Sequence, residues 1–358
     1  MKVLMKGNEA LAEAAIRAGI KGYFGYPITP QSELLEYMSA HLNDRGGVFI
    51  QAESEIAAIN MVYGAAGCGV RVMTSTSSPG FSLMQEGISF LACAELPCLL
   101  VNVVRGGPGL GTIQPSQSDY FQTVKGGGHG DYNIIVLAPN SVQEMADHVY
   151  LGMDLADIYR IPVTILADGA LGQMMEPVEF PEYDVESHKV DHSAWATRGR
   201  VNGKRHVITS LYLEPEIMEK INQQLQKKYR EIEAKEIRFE SIQTKDADII
   251  IVAYGLVSRI AHKTVELARA DGIKVGLLRP ITLFPFPYRQ FSDISKNTDF
   301  ILTVEMNSGQ MVEDVKLAIN GEIPVEFYGR MGGMIPQPEE ILEVIKEKQN
   351  QLSSRKKV

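Results

Sequence analysis

Cysteine and surplus basic charge are both scarce in this sequence of 358 residues. The three cysteines, Cys68, Cys93 and Cys98, form no CxxC pair, so we expect this chain to hold neither a metal ion nor an iron–sulfur cluster. We interpret them as core thiols. The formal net charge of -9 argues against a nucleic-acid-binding protein, which should carry a basic surface.

Long apolar runs are also missing from the sequence. No run approaches the ~18 residues that a membrane-spanning helix requires. The N-terminal stretch "MKVLMKGNEALAEA" turns acidic at once and has no signal-peptide core. We therefore expect a cytoplasmic protein with no membrane contact. With 45% hydrophobic and 22% charged residues, the composition is that of a globular protein able to bury a core.

Short apolar segments alternate with helix-like segments over residues 1–178. "GYFGYP", "VRVMTSTS" and "PCLLVNVV" are typical of strands, and "SEIAAINMVYGAAG" is typical of a helix. The alternation predicts an α/β fold, a doubly wound and mostly parallel sheet with helices on both faces. Residues 179–245 are polar with one charged helix, so we interpret them as a connector. The alternation returns over residues 246–358 and predicts a second, smaller α/β domain.

The stretch "GYFGYPITPQSELLEY" contains a threonine between two prolines after an apolar strand. Ligands of open α/β sheets bind beyond the carboxyl ends of strands, where Thr29 lies. Because Pro30 suits the first helical position, we predict that Thr29 is the N-cap of a helix over residues 30–43. The start of such a helix can also bind an anion such as a carboxylate. Thr29 is therefore either a cap alone or a cap and a ligand contact.

The next strand is followed by an acidic residue at the start of a helix. Ser54 can cap this helix, and Glu55 falls in its first turn. The helix is apolar almost all round, so it should be buried. The Glu55 carboxylate could simply stabilise the helix by its interaction with the positive end of the helix dipole. Alternatively, removed in part from water, it could share a proton with a ligand.

Two further strand ends carry polar residues. Hydroxyl groups crowd the segment "TSTSSPGFSLMQEGISF", where Pro79 and Gly80 begin a helix. Arg105 ends an apolar strand and precedes "GGPGLG"; arginine suits bidentate contact with a carboxylate or phosphate. The glycine run is neither GxGxxG nor a P-loop, so it is a weak nucleotide signal. We interpret it as an ordered loop on the ligand side.

Together these segments resemble a known family. "GYPITPQSE", "AESEIAAINMVYGAAGCGVRVMTSTSSPGFSLMQE", "VVRGGPGLGTIQPSQSD" and the tail "GRMGGMIPQPEEIL" are similar to the alpha subunit of the 2-oxoacid:ferredoxin oxidoreductases. These thiamine-diphosphate enzymes belong to the pyruvate:ferredoxin oxidoreductase superfamily. The resemblance covers essentially the whole chain. It implies that residues 1–178 form a pyrimidine-binding domain and residues 246–358 a transketolase C-terminal-like domain.

The resemblance also implies roles for individual residues. Glu55 would meet N1′ of the cofactor's aminopyrimidine ring, with which it would share a proton. Thr29 and Arg105 would hold the carboxylate of the 2-oxoacid. The other expected cofactor contacts lie in the same motifs: Tyr26, Pro27, Ile28, Ser78 and Pro79.

Half of the expected active site is missing from the sequence. We find no G-D-G…N motif for a magnesium-bound diphosphate. The resemblance implies that Mg²⁺ lies on a beta subunit, a 4Fe–4S cluster on a ferredoxin-like delta subunit and the coenzyme A side on a gamma subunit. This chain would then be inactive alone. With its partners it would catalyse coenzyme A-dependent oxidative decarboxylation of a 2-oxoacid with reduction of ferredoxin, and the free chain would dimerise.

The substrate and some other functions remain open at this point. The opening "KGNEALAEAAIRAG" favours the 2-oxoisovalerate type, with 2-oxoglutarate as the alternative. The beta subunit of an NAD-linked 2-oxoacid dehydrogenase, or half of a transketolase, would share both domains. The threonine–proline motif and "SSPGFSLMQE" favour the ferredoxin-linked family. A non-catalytic phosphate-binding protein or a scaffold subunit is the remaining alternative.

Overall fold

The computed structural model describes residues 2–201, 203–294 and 298–355. Strands and helices alternate in its first part, as the sequence predicts. The strands here are β1 (Val3–Lys6), β2 (Gly22–Gly25), β3 (Val48–Gln51), β4 (Val72–Thr76), β5 (Cys98–Val104), β6 (Ile135–Leu137), β7 (Pro162–Asp168) and β8 (Met175–Val178). The helices are α1 (Gly7–Arg17), α2 (Ser32–His41), α3 (Glu55–Gly67), α4 (Ser78–Cys93), α5 (Tyr120–Val124), α6 (Val142–Tyr159) and α7 (Gly169–Gln173), with a 3-10 turn at Asn43–Arg45.

The second part of the chain repeats the alternation on a smaller scale. Its strands are β9 (Arg200–Val201), β10 (Lys204–Arg205), β11 (Phe239–Ile242), β12 (Ile249–Val252), β13 (Val275–Pro280), β14 (Thr282–Phe284), β15 (Phe300–Glu305) and β16 (Val325–Gly329). Its helices are α8 (Pro215–Lys235), α9 (Gly255–Ala270), α10 (Tyr288–Ile294), α11 (Met311–Ile319) and α12 (Pro338–Arg355).

A seven-stranded sheet with the order β14-β6-β7-β5-β4-β2-β3 organises the first part. Its strands are parallel except for β14, which pairs antiparallel with β6. The central strands β5 and β7 are buried along their whole length, because helices cover both faces of a parallel sheet. We call this sheet and its helices the first unit. Strand β1 lies outside the sheet, since it pairs antiparallel with β8.

A five-stranded sheet with the order β11-β13-β12-β15-β16 organises the second part, which we call the second unit. Its strands are parallel except for β11. Strand β11 lies within the expected connector over residues 179–245, but its backbone pairs with β13. The expected boundary at residue 246 therefore separates β11 from its sheet. Conversely, β14 comes from the expected second domain and joins the sheet of the first unit.

Buried polar contacts join the two units. The side chain of Arg279 is 3% exposed and donates to Oε1 of Glu144 at 2.9 Å. The hydroxyl of Tyr120 donates to Oδ2 of Asp314 at 2.6 Å. Each pair places one group in each unit, so these hydrogen bonds hold the two units together through buried polar groups. None of the helices in the described ranges is long and apolar enough to cross a membrane.

Candidate active site

The topology of the first sheet brings four distant segments to one edge. Strands β5, β4, β2 and β3 are neighbours and run parallel, so their carboxyl ends lie side by side. The chain leaves β2 towards β3 and leaves β4 towards β5, in opposite directions. The crevice between β2 and β4 is therefore a topological switch point, the usual ligand position of such sheets. Thr29, Glu55, Ser78 and Arg105 all follow these four strands.

The prediction that Thr29 caps a helix is wrong. Helix α2 begins later than residue 30, and Gln31 rather than Thr29 is the residue that precedes it. The carbonyl oxygen of Pro30 instead accepts hydrogen bonds from Asn8 Nδ2 at 2.8 Å and Gln173 Nε2 at 3.2 Å. Because side chains of other elements hold this carbonyl, the chain makes a turn here before the helix starts. Thr29 is exposed at this turn.

Arg105 lies against this turn. Its Nη1 donates to the carbonyl oxygen of Thr29 at 2.9 Å, and its Nη2 donates to the carbonyl oxygen of Leu110 at 3.2 Å. Its Nε is buried and has no partner in the described part of the chain. A guanidinium group carries five N–H donors, so Nη1 and Nη2 each retain one N–H for a ligand. The structure thus brings Thr29 and Arg105 together at one point of the site.

Ser78 links the start of helix α4 to Arg105. Its hydroxyl oxygen accepts from the backbone N–H of Arg105 at 3.0 Å, and its own N–H donates to Asn102 Oδ1 at 3.1 Å. The amide of Asn102 donates in turn to Oδ2 of Asp119 at 2.9 Å. Burial raises the pKa of the Asp119 carboxyl, while its hydrogen bonds with Asn102 and Ser78 oppose this rise. Pro79 occupies the first turn of α4, as expected.

Glu55 is buried at the first turn of α3. Ser54 caps this helix as predicted, since its hydroxyl oxygen accepts from the N–H of Ala57 at 3.2 Å. Glu55 is only 4% exposed. None of the hydrogen bonds and ion pairs found among the described residues involves its carboxylate. A buried carboxylate is costly unless something pairs with it. Its environment therefore fits a ligand that supplies a donor.

Gly80 fixes how closely α4 approaches Glu55. A Cβ atom at residue 80 would lie 2.3 Å from Oε1 of Glu55 and 2.0 Å from Oγ1 of Thr76. Only glycine leaves room for both oxygens. The hydroxyl of Thr76 and that of Ser77 are also buried without a partner in the described part of the chain. Polar groups without protein partners thus collect around the N-terminus of α4, which favours donors and acceptors from a ligand.

The segment that precedes Thr29 is open to solvent. Tyr26 and Pro27 are exposed, and Ile28 is half-buried. The fully buried Gln31 holds this segment, because its Nε2 donates to the carbonyl oxygen of Tyr26 at 3.4 Å and its Oε1 accepts from Ser75 Oγ at 2.6 Å. Because Tyr26 and Pro27 are exposed and Ile28 is half-buried, a ligand or partner can reach this segment.

Sequence reasoning missed several residues that shape the site, namely Gln31, Asn102 and Asp119, and it missed the close approach of Gly80 to Glu55. Asn102 did give a signal, since it is the polar residue of the apolar strand "CLLVNVV". A polar side chain in a buried strand needs a hydrogen-bond partner, and this one holds both Ser78 and Asp119. Gln31 gave no such signal, because it lies in a polar stretch just before helix α2 and not in an apolar strand.

A cleft of about 630 Å³ adjoins these residues on the side of the second unit. From the first unit it is lined by Ser78, Pro79, Arg105 and the glycine-rich loop, and from the second unit by residues 306–308 and Gln310. Thr29 and Glu55 lie outside this lining. The site therefore has two sides, the cleft and the exposed edge that carries Tyr26 and Thr29. Within the described ranges, no group of three or more His, Cys, Asp or Glu side chains could hold a metal ion.

Comparison with known families agrees with this geometry. Residues 13–241 match the family model "Pyruvate flavodoxin/ferredoxin oxidoreductase, thiamine diP-bdg". Residues 247–341 match "Pyruvate:ferredoxin oxidoreductase core domain II". The first unit is thus a thiamine-diphosphate-binding domain. The chain belongs to the pyruvate flavodoxin/ferredoxin oxidoreductase family and is a subunit of a 2-oxoacid:ferredoxin oxidoreductase, as its sequence predicted.

Similar proteins are subunits of oxidoreductases from archaea. The chain is 54% identical over 344 residues to the ketoisovalerate oxidoreductase subunit VorB of Methanothermobacter marburgensis. The alignment covers 96% of this chain and 97% of the relative. It is 38% identical over 368 residues to the 2-oxoglutarate synthase subunit KorA of the same organism. This alignment covers 95% of this chain and 97% of the relative. A subunit of such an enzyme works with partner subunits.

Two solved structures confirm the predicted fold. One is a 2-oxoglutarate:ferredoxin oxidoreductase from Magnetococcus marinus with 2-oxoglutarate, coenzyme A and succinyl-CoA bound. It matches with a TM-score of 0.86 and 28% identity over 97% of this chain, which spans 65% of that solved chain. The other is a split-gene transketolase, with a TM-score of 0.60 and 14% identity over 96% of this chain and 97% of that one. The second likeness shows the fold alone.

Proposed function

We propose that this chain supplies the pyrimidine-binding half of a thiamine diphosphate site and acts in the oxidative decarboxylation of 2-oxoisovalerate. The acyl group passes to coenzyme A and the electrons pass to ferredoxin. The observation that carries the choice of substrate is the identity of 54% to a ketoisovalerate oxidoreductase subunit, against 38% to a 2-oxoglutarate synthase subunit. Both relatives are matched over nearly their whole length, so the difference is not due to partial coverage.

Glu55 would hold the pyrimidine ring of the cofactor. Its buried carboxylate has no partner in the described part of the chain and would share a proton with N1′ of the ring. When bound, thiamine diphosphate would supply the carbanion chemistry that decarboxylation of a 2-oxoacid requires. Gly80 keeps the space beside the carboxylate open. Tyr26, Pro27 and Ile28 on the exposed edge, with Ser78 and Pro79 at the start of α4, would complete the cofactor contacts.

Arg105 and Thr29 would bind the carboxylate of the substrate. The guanidinium group of Arg105 already lies 2.9 Å from the carbonyl oxygen of Thr29, so one anion can contact both residues. The unused N–H groups of Arg105 suit a planar carboxylate. The Thr29 hydroxyl, which caps no helix, is free to donate to the same group. This arrangement would orient the 2-oxo carbon of the substrate towards the cofactor.

Partner subunits would complete the site. Several large apolar side chains near it are exposed: Tyr26 (37%), Ile56 (50%), Leu83 (49%), Leu110 (85%) and Ile113 (58%). Apolar surface of this kind marks protein interfaces. We assign it to a beta subunit that binds Mg²⁺ and the diphosphate end of the cofactor. A ferredoxin-like delta subunit would hold the 4Fe–4S clusters, and a gamma subunit would contribute the coenzyme A side.

Ferredoxin reduction by the reconstituted complex tests the proposed substrate. We expect the highest kcat/KM with 2-oxoisovalerate, a lower value with 2-oxoglutarate, and no reduction of NAD⁺. The relative rates on pyruvate and on the other branched-chain 2-oxoacids define the pocket further. A higher kcat/KM with 2-oxoglutarate would overturn the choice of substrate. Activity with NAD⁺ in place of ferredoxin would instead support the alternative of an NAD-linked dehydrogenase.

The isolated chain should bind thiamine diphosphate weakly, because it contacts the pyrimidine end alone. Calorimetry should detect tight binding only after the beta subunit and Mg²⁺ are added. Light scattering should show that the free chain is a dimer, since the exposed apolar side chains near the site lack a partner. Tight binding by the isolated chain without Mg²⁺ would contradict the proposed division of the site between subunits.

A further inference from the structure

The second unit has a ligand crevice of its own. The chain leaves β12 towards β13 and leaves β15 towards β16, so it winds in opposite directions from two adjacent parallel strands. The space beyond the carboxyl ends of β12 and β15 is therefore the switch point of this sheet. Open α/β sheets bind their ligands at such a point.

Gln117 of the first unit fills this crevice. Its Nε2 donates to the carbonyl oxygen of Tyr254 at 2.9 Å, just after β12, and its Oε1 accepts from the N–H of Met306 at 3.0 Å, just after β15. Its backbone N–H donates to the carbonyl oxygen of Met306 at 3.0 Å, and its carbonyl oxygen accepts from Asn307 Nδ2 at 2.9 Å. The residue is 3% exposed. Both strand ends of the switch point are thus bonded to one glutamine.

The start of helix α9 is shaped around this side chain. Gly255 is the first residue of α9 and has a φ of +55°, a conformation that favours glycine. A Cβ atom at Gly255 would lie 3.1 Å from Nε2 of Gln117. The glutamine therefore occupies the position beside a helix N-terminus where a bound ligand of this fold would lie.

The segment that carries Gln117 also supports Arg105. Pro115 forms a backbone bridge with Arg105 two residues before Gln117. Asp119 accepts from Asn102 at 2.9 Å two residues after it, and Asn102 holds the N–H of Ser78. Gln117 thus lies between two contacts that both reach the surroundings of Arg105.

We propose that Gln117 is a positioning residue. Because its side chain is bonded in the ligand crevice of the second unit, it holds the segment that supports Arg105. The second unit then serves as a rigid support for the substrate site, since its own crevice contains a side chain of the first unit. This inference rests on the proposed role of Arg105 in binding the substrate carboxylate. The hydrogen bonds of Gln117 set the position of the guanidinium group through Pro115 and Asp119.

Replacement of Gln117 in the assembled complex tests this proposal. Gln117→Leu removes both side-chain hydrogen bonds at nearly constant size, and Gln117→Asn keeps the amide but is too short to reach both strand ends. We expect faster amide hydrogen exchange over residues 105–119. We also expect a KM for the 2-oxoacid that rises between about 2-fold and about 30-fold, with a smaller change in kcat. The affinity for thiamine diphosphate should not change.

Glu144→Gln is the matched control, because it weakens the contact with Arg279 that joins the units elsewhere. It should lower the melting temperature and leave both the KM and the exchange over residues 105–119 as in the wild type. Wild-type exchange in both Gln117 variants, or an equal rise in KM in Glu144→Gln, would overturn the proposal. An Arg105→Lys complex with an unchanged KM would instead contradict the role of Arg105. The exchange measurement would still decide whether Gln117 holds the segment.

Discussion

Glu55→Gln should lower the kcat of the assembled complex by about 100-fold or more, the scale of a lost acid–base contribution. The amide keeps the size of the side chain and can form hydrogen bonds, but it cannot share a proton with N1′ of the pyrimidine ring. Its melting temperature should not fall, because no protein group among the described residues pairs with the carboxylate. Steady-state ferredoxin reduction and a thermal melt of the same preparation measure both quantities.

Glu53→Gln is the matched control for this experiment. Glu53 precedes helix α3 by two residues and is exposed, so its replacement should change neither kcat nor the melting temperature. The alternative explanation makes the opposite prediction. In it, the Glu55 carboxylate only stabilises the helix by its interaction with the helix dipole. It predicts full activity and a loss of about 0.3–1 kcal/mol in the free energy of unfolding. Normal turnover by the Glu55→Gln complex would therefore reject the proposed catalytic role.

Arg105→Lys should raise the KM for the 2-oxoacid by roughly 10- to 100-fold, which corresponds to one lost hydrogen bond to a charged group. The guanidinium group donates to the carbonyl oxygens of Thr29 and Leu110 and still has N–H groups for a bidentate carboxylate. An ammonium group is a single point charge and cannot reproduce these contacts together. Initial rates at varied 2-oxoacid concentration give the KM, and calorimetry should show unaltered affinity for thiamine diphosphate.

Two variants of Thr29 separate substrate binding from stability. Thr29→Ala should raise the KM several-fold, while Thr29→Ser, which keeps the hydroxyl, should have little effect. Neither should change the free energy of unfolding, since Thr29 is exposed and caps no helix. A true N-cap would lose about 1 kcal/mol in the alanine variant. A Thr29→Ala complex with a normal KM would leave Arg105 as the one proposed contact of the substrate carboxylate.

Much of the first unit could be predicted from the sequence because its signals are local. The alternation of apolar strands and helices, the Ser54 cap and the placement of Pro79 in the first turn of α4 depend on residues a few positions apart. The expectation that the whole of helix α3 is buried is wrong, since Ile56 is 50% exposed, but Glu55 at its first turn is buried. Parallel strands then bring Glu55, Ser78 and Arg105 to one edge of the sheet.

The sequence by itself determined the fold class, the family and the residue types at the strand ends. The tertiary structure decided how those residues are held. Thr29 caps no helix because the carbonyl of Pro30 is bonded by side chains 22 and 143 residues away. Strands β11 and β14 pair across the expected domain boundary because backbone hydrogen bonds depend on spatial neighbours. The place of Gln117 between β12 and β15 has the same cause, since its side-chain partners lie 137 and 189 residues along the chain.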